Sequence, residues 1–482
     1  MIDYRPVLFV LGVLLTTLAV TMAVPVFADL AVGNPDWQVF LASAALTLFV
    51  GVSLMLAFHA RGFVVTVHQT FILTTLSWIV LAAFAGLPFA FSGLDLSFAD
   101  AYFEAMSGLT TTGSTVISGL DTSPPGILLW RALLQWLGGI GIIVMAIAVL
   151  PLLGVGGMQL FRTESSDQSE KALPRTAQVA ASITVVYLGL TLAWSIMLWL
   201  AGMSQFDAVC HAMTTIATGG FSTVDGSIGQ FDNQSIDIII TVGMIAGSLP
   251  FVLYLAVLRG NIRDLVTDSQ VHWFLGIIVV VTLVMTWWTS TTIDRAPLDA
   301  LRYAAFNVVS VMTGTGYSST DYGQWGTFAV TVMFFLMFAG GCTGGTTGGI
   351  KIFRFQVLFT TARVQLAQNI RPHGVFIAHY NGRPILDSVS GAVLGFYFMF
   401  FVAFAVVALA LSLHGYDLMT SISGAATAVA NVGPGLGEVI GPSGNFSSLD
   451  QSAKWIMSAA MLLGRLELFT VLVLFLPSFW RQ

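Results

Sequence analysis

Four short polar stretches recur in an otherwise apolar chain, and they narrow what it can fold into more than any other feature. The first is Ser107-Gly108-Leu109-Thr110-Thr111-Thr112-Gly113; the others are Ala217-Thr218-Gly219-Gly220, Thr313-Gly314-Thr315-Gly316 and Ala430-Asn431-Val432-Gly433. Six residues before each final glycine stands a hydroxyl residue (Ser107, Thr214, Ser310, Thr427), and four before it an apolar one (Leu109, Ile216, Met312, Val429). The anchor glycines are 107, 96 and 117 residues apart. Such intervals are too long for solenoid units and suit a duplicated module of two membrane helices joined by a loop. One polar turn in an apolar protein is usually only a turn. Four in a common register imply a shared task.

With 56% apolar residues, 9% charged residues and a mean hydropathy of +0.86, the chain reads as a polytopic membrane protein. Its first apolar run, residues 6–28, ends on a signal-peptidase-like Val26-Phe27-Ala28. It is nevertheless too long for an ordinary signal h-region, and a retained span is expected. Two leading spans, residues 7–27 and 39–58, precede repeats with spans at 71–91 and 127–153, 179–200 and 236–258, 273–288 and from Phe328 onward, and 389–413 and 453–479. The expected fold is an all-α polytopic membrane protein: four tandem helix, re-entrant pore loop, helix repeats around one pore, plus two extra N-terminal transmembrane helices. The expected segments are the leading pair (residues 1–66) and repeats 67–160, 161–264, 265–372 and 373–482.

Before each anchor lies an apolar segment too short to cross a membrane: residues 98–109, 206–216, 298–312 and 416–429. Each opens beside an acid (Asp100, Asp207, Asp299, Asp417), as suits a helix N-terminus. Irregular backbone at membrane depth is tolerated where it lines water or is buried in protein. A helix entering from outside aims its partially negative C-terminus at the path, and glycine lets backbone carbonyls turn inward as ligands for a dehydrated alkali cation. No acid falls between hydroxyl and anchor in any loop. That argues against a divalent-cation ring and for a monovalent ion.

With the N-terminus inside, 13 of the 18 Lys and Arg residues are cytoplasmic, among them Arg61, Arg162, Lys171 and Arg354, in accord with the positive-inside rule. The same topology puts 16 of the 24 acids, including Asp29, Glu104 and Asp237, at an outer mouth that would concentrate cations. Cys210 and Cys342 belong to no cluster with metal-ligand spacing. No nucleophile–base pair marks an enzyme, and no nucleic-acid partner is expected. The longest polar segment, residues 162–176, is too short for a domain, so any large regulatory domain must come from another polypeptide. His211 and Asn307 read as structural hydrogen-bonding groups, and Gly138-Gly139-Ile140-Gly141 as a close helix contact.

The repeats, the four glycines, the pairs Gly220-Phe221 and Gly316-Tyr317, and the two leading helices together resemble the Trk/Ktr/HKT superfamily of potassium transporters, over nearly the whole chain. The first and fourth loops depart from it with Gly113-Ser114 and Gly433-Pro434. The resemblance implies a K⁺ filter formed by Thr111, Thr112 and Gly113, Thr218, Gly219 and Gly220, Gly314, Thr315 and Gly316, and Asn431, Val432 and Gly433. It implies K⁺ as the transported ion with no organic cofactor in this chain, and a multi-pass homodimer in the bacterial inner membrane with both termini cytoplasmic. It also implies a separate cytosolic nucleotide-binding regulator of the TrkA type, since the chain has no Gly-rich βαβ fingerprint of its own.

The run from Gly340 to Gly349 interrupts a span with six glycines. It lacks the Lys-Ser/Thr ending of a phosphate loop. Close packing of small residues is one reading; the family likeness makes Gly344, Gly345, Thr346, Thr347 and Gly348 a gate below the filter. Arg465, mid-span, either pairs with another repeat or sits beside that gate and repels cations. Glu467, two residues on, would face another side of the helix. The competing function is a Na⁺- or H⁺-coupled solute symporter with broken helices, which would show two matching inverted halves rather than four tandem loops.

Overall fold

A computed structural model describes residues 3–59, 66–148 and 172–481. The expected span end at residue 153, the cytoplasmic residues Arg61, Arg162 and Lys171 and most of the polar segment 162–176 lie outside these residues. Among those described, seven helices are long and apolar enough to cross a membrane: Arg5–Val32, Trp37–Ala57, Val67–Phe91, Pro125–Met145, Gln178–Leu200, Ser269–Thr292 and Asp387–Leu413. Three more spans are broken. Gln234–Ser248 turns by 96° into Phe251–Leu258, Gln451–Arg465 turns by 107° into Phe469–Phe475, and a glycine-rich loop separates Thr327–Leu336 from Ile352–Ile370.

Two of these breaks correct the continuous spans expected over residues 236–258 and 453–479. In the first, Leu249 is extended and Pro250 follows it; proline lacks an N–H and pushes its predecessor out of the helical region. In the second, Glu467 and Leu468 adopt left-handed φ values of 63° and 45° without a glycine or proline to prompt it. Past that helix end the Glu467 carboxylate meets the guanidinium of Arg354, on the helix that follows the glycine-rich loop.

The leading pair packs through small residues: a Cβ on Gly12 would lie 2.7 Å from the Gly51 carbonyl oxygen. Its connection to the repeats runs through Asp29, whose Oδ1 accepts the Gly126 N–H at 2.7 Å, capping the start of the Pro125–Ala148 helix.

Four short helices carry the loops: Phe98–Leu109, Gln205–Ile216, Pro297–Met312 and Leu418–Ala430. Ser97 closes a capping box with Asp100, Ser204 accepts from the Asp207 N–H, Pro297 occupies the first turn of the third, and Asp417 caps the fourth. Hydrogen bonding from Thr420 holds the Asp417 carboxyl below its ordinary range, so that cap stays ionised where the helix dipole favours a negative charge.

The second helix of three repeats presses a glycine against the end of its own re-entrant helix. A Cβ on Gly138, Gly247 or Gly464 would lie 1.9, 2.6 or 1.9 Å from the carbonyl oxygen of Leu109, Ile216 or Val429. Those carbonyls belong to the apolar residues four before each anchor, so the close helix contact expected of Gly138 is also what fixes the depth of the first loop.

Candidate functional site: a ring of four loops above a charged layer

In every loop the anchor and the residue two before it have positive φ: Thr111 52° and Gly113 87°, Thr218 48° and Gly220 80°, Gly314 68° and Gly316 82°, Asn431 55° and Gly433 112°. Glycine adopts this region freely, whereas Thr111, Thr218 and Asn431 hold it at a cost of roughly 1–2 kcal/mol each. The residue between them donates its N–H to the carbonyl six before the anchor: Thr112 to Ser107 at 2.9 Å, Gly219 to Thr214 at 2.8 Å, Thr315 to Ser310 at 2.9 Å, and Val432 to Thr427, five residues before it, at 3.1 Å. One backbone shape is thus built four times, and the hydroxyl position that recurs in the sequence marks where each loop springs from its helix.

The loops close into a ring. A Cβ on Gly113 would lie 2.3 Å from the Gly219 carbonyl oxygen, on Gly220 1.8 Å from that of Thr315, on Gly316 2.2 Å from that of Val432, and on Gly433 2.9 Å from that of Thr112. Each anchor therefore abuts the carbonyl of the next loop, and the fourth returns to the first. No side chain larger than hydrogen fits at the first three without displacing backbone. Such a ring offers backbone oxygen dipoles around one axis, the ligand set that strips and holds an alkali cation.

Around this common backbone the loops are braced in three ways. In the first and third, paired threonine hydroxyls lie 2.7 Å apart, Thr110 with Thr112 and Thr313 with Thr315. In the second, which lacks both hydroxyls, Gln135 reaches in: its Nε2 donates to the Gly219 carbonyl at 2.6 Å and its Oε1 accepts the Phe221 N–H at 3.0 Å. In the fourth, Asn431 donates through Nδ2 to Thr112 Oγ1 and to the Met461 carbonyl, both at 2.9 Å. The departures Ser114 and Pro434 fit the ring, since Ser114 Oγ donates to the Gly433 carbonyl at 2.7 Å and the Pro434 ring packs near Gly316.

The glycine-rich loop lies against the ring from one side. Its neck is closed by Gly340 N–H to Ile350 O and Ile350 N–H to Phe338 O, at 2.9 and 3.0 Å. The Cys342 and Thr346 N–H groups donate to Ser248 O and Gly247 O, each at 3.0 Å, so the Leu249–Pro250 break supplies carbonyls that a continuous helix would have used itself. The Thr346 hydroxyl sits 3.0 Å from Thr218 Oγ1 and 3.1 Å from the Ile216 carbonyl. Gly345 packs on Ser248 O, Gly348 on Ala430 O and Asn431, and Gly344 near Pro250. Thr347 receives the Lys351 ammonium through its carbonyl and, at 3.0 Å, its hydroxyl.

A cavity of about 20 Å³ lies among Gly344, Thr347, Gly348, Lys351, Arg465 and Glu467, room for about one water. Arg465 is 3% exposed, and its three guanidinium nitrogens have no hydrogen-bond partner among the described residues. Glu467 is committed instead to Arg354, whose guanidinium also lies 3.7 Å from the Phe396 ring centroid.

The acidic mouth needs correction at three places. Asp29 is buried against Gly126, Asp237 pairs with Arg302 at 2.7 Å, and Glu104 is fully buried in an ion pair with Arg131 at 2.8 Å. These carboxylates hold helices together and do not face the outer water. Sequence reasoning also passed over Arg131 and Gln135, which face the loops from the Pro125–Ala148 helix. Their signal was present: two polar residues one helical turn apart in an apolar span mark one shared, occupied face.

Among the described residues no group of three or more His, Cys, Asp or Glu could hold a metal ion. A TrkH family model, described as a cation transport protein, matches residues 36–482. The chain is 46% identical over 490 residues to the Trk system potassium uptake protein TrkI of Halomonas elongata, covering 99% of this chain and 97% of the relative. To the Trk system potassium uptake protein TrkH of Escherichia coli K12 it is 37% identical over 487 residues, covering 99% and 100%. The crystal structure of the potassium transporter TrkH from Vibrio parahaemolyticus superposes with a TM-score of 0.92 at 35% identity, across 100% of both chains. A sequence match that runs through all four loops and a fold shared from end to end make this chain a member of the TrkH family of cation transport proteins.

Proposed function

We propose that this protein takes up K⁺ across a bacterial inner membrane, selecting it in the four-loop ring and gating it at the glycine-rich loop. The observation that carries the reading is the closure of the ring, each anchor glycine against the carbonyl of the next loop; the potassium named for its relatives supports it. Selection falls to Thr111, Thr112, Gly113, Thr218, Gly219, Gly220, Gly314, Thr315, Gly316, Asn431, Val432 and Gly433. Gating falls to Gly344 through Gly348, with Arg465 placing an unpaired cation beside the path. In this conformation the space of about 20 Å³ beside the gate loop is too small for a hydrated ion, which supports a closed gate.

A solute symporter is disfavoured, because four loops of one backbone shape recur in tandem rather than in two matching inverted halves and the relatives are named for potassium uptake. The basic cytoplasmic face supports an orientation with both termini inside. The Trk system named for its relatives supports a separate nucleotide-binding ring protein of the TrkA type, docked on a homodimer of this chain. The repeats then run over residues 67–160, 161–264, 265–372 and 373–482. Purified protein in liposomes, with an outward K⁺ or Na⁺ gradient and a potential-sensitive dye, tests the central reading: K⁺ should set the membrane potential and Na⁺ should not. Equal potentials with either ion would refute it, and a pull-down from native membranes recovering no nucleotide-binding protein would remove the partner.

A further inference from the structure

Each loop is pinned a second time, at its exit. Nine residues before the first three anchors stand Glu104, His211 and Asn307, and ten before the fourth stands Ser423; all four are buried on the re-entrant helices. Three of them take the backbone N–H three residues beyond the anchor. Val116 donates to Glu104 Oε2 at 2.9 Å, Ser319 to Asn307 Oδ1 at 3.3 Å and Leu436 to Ser423 Oγ at 2.9 Å. In the second loop His211 Nδ1 lies 2.8 Å from the Asp207 carbonyl, which can only accept, so a neutral ring carries its proton there. Nε2 is then the acceptor for the Ser222 hydroxyl at 3.0 Å, two residues beyond Gly220.

Three different side chains thus perform one geometric task, and His211 reaches the same exit one step removed, through the Ser222 hydroxyl that accepts the Val224 N–H at 3.2 Å; simple filling of a core would not require this. A side chain chosen only for packing has no reason to meet the outgoing backbone at the same place in three repeats of four. The charged member shows the demand most clearly, because a buried carboxylate is costly unless it is paired and fully hydrogen-bonded. Glu104 is satisfied by Val116 N–H, by Thr115 Oγ1 at 3.0 Å and by Arg131 Nε at 2.8 Å. Arg131 in turn donates through Nη1 to the Ser222 carbonyl at 2.7 Å and lies 4.1 Å from the Phe221 ring centroid. The exits of the first and second loops are therefore tied to one ion pair.

We infer that Glu104, His211, Asn307 and Ser423, with Arg131, are positioning residues for ion selectivity: by fixing the exit of each loop they set the radius at which its carbonyls meet the ion. The inference rests on reading the ring as a K⁺ filter. A loop pinned only at its entrance, by the carbonyl six before the anchor, can relax inward around the smaller Na⁺; one pinned at both ends cannot.

The test uses Asn307→Ala and Ser423→Ala, which remove a neutral pin and leave the buried ion pair intact. Full-length protein in liposomes is measured by bi-ionic K⁺/Na⁺ potential, and in detergent by amide hydrogen exchange. In Asn307→Ala, exchange should quicken over residues 313–320 and in no other loop; in Ser423→Ala, over 430–437. The K⁺ over Na⁺ permeability ratio should fall about threefold to tenfold in each, the effect of one lost hydrogen bond, with maximal K⁺ flux retained. Unchanged exchange in the variant's own loop would overturn the inference, and so would a loosened loop with the wild-type ratio. A wild-type protein showing no K⁺ preference overturns the filter reading itself and this inference with it, an outcome visible before any variant is made.

Discussion

At the twelve positions of the ring there is no ionisable side chain, whereas the layer beneath it buries Lys351, Arg354, Arg465 and Glu467 close together in space. The ring works with backbone dipoles held by hydrogen bonds that repeat four times, and its tolerance for added atoms is nearly nil. Among the described residues the lower layer has no fourfold counterpart: it is assembled from two broken spans and a loop. Dipoles of fixed direction can discriminate among cations without binding them too tightly to leave. A full charge at short range is a much larger energy, suited to stopping flow and unsuited to ranking two ions of equal charge. On the proposed reading, selection and gating are thus separated by chemistry as well as by depth.

The largest effect is expected from placing one carbon in the ring. Gly220→Ala drives a Cβ to 1.8 Å from the Thr315 carbonyl oxygen at a φ of 80°, and K⁺ flux in liposomes should fall by about a hundredfold or more. Normal flux from a variant that inserts and elutes as wild type would break the upper half of the comparison. Removing Gly344 through Gly348 should act in the opposite sense, raising K⁺ flux by about tenfold or more with little change in the K⁺/Na⁺ ratio, because selection lies in the other layer. A well-expressed deletion with unaltered flux would show that the loop is packing only.

Within the charged layer the two arginines should part company. Arg354→Ala strands Glu467 and should destabilise the protein by about 3–5 kcal/mol, read as a lowered melting temperature in detergent. Arg465→Ala strands no acid among the described residues and removes a mid-membrane charge that costs at least roughly 2.5–3.5 kcal/mol. It should keep its melting temperature and change the K⁺ concentration dependence or maximal rate of uptake; unchanged kinetics would remove Arg465 from the ion path. The smallest effect belongs to Thr346→Val, which deletes the hydroxyl contacts to Thr218, Ile216 and Gly247. It should raise resting K⁺ leak about fivefold, as one net hydrogen bond would, and a tight closed state in this variant would place the latch elsewhere.

The two layers were also unequally legible. The re-entrant helices could be read because each carries its own punctuation, an acid or hydroxyl at the start, a hydroxyl six before the glycine and the glycine itself, all within one short window. Pro250 was a readable break that the hydropathy of its neighbours concealed. The break at Glu467 and Leu468 had no local sign, and the partner its carboxylate meets, Arg354, is 113 residues away. The same holds for Glu104, assigned to the outer mouth by its position along the chain: its partner Arg131 is 27 residues on, and only packing reveals that it faces inward. Backbone geometry demanded by a local motif shows in sequence; a charge placed by a distant partner does not.

The most direct test of the account is the bi-ionic K⁺/Na⁺ reversal potential across planar bilayers for Gly113→Ala, Gly220→Ala, Gly316→Ala and Gly433→Ala, each checked for insertion and wild-type elution. The account predicts that all four shift the potential toward the Na⁺-permeable value or abolish conduction, with Gly433, whose Cβ would meet Thr112 O at 2.9 Å, the mildest. If any one of the four conducted with the wild-type potential, its loop would lie outside the filter and the single closed ring would be contradicted.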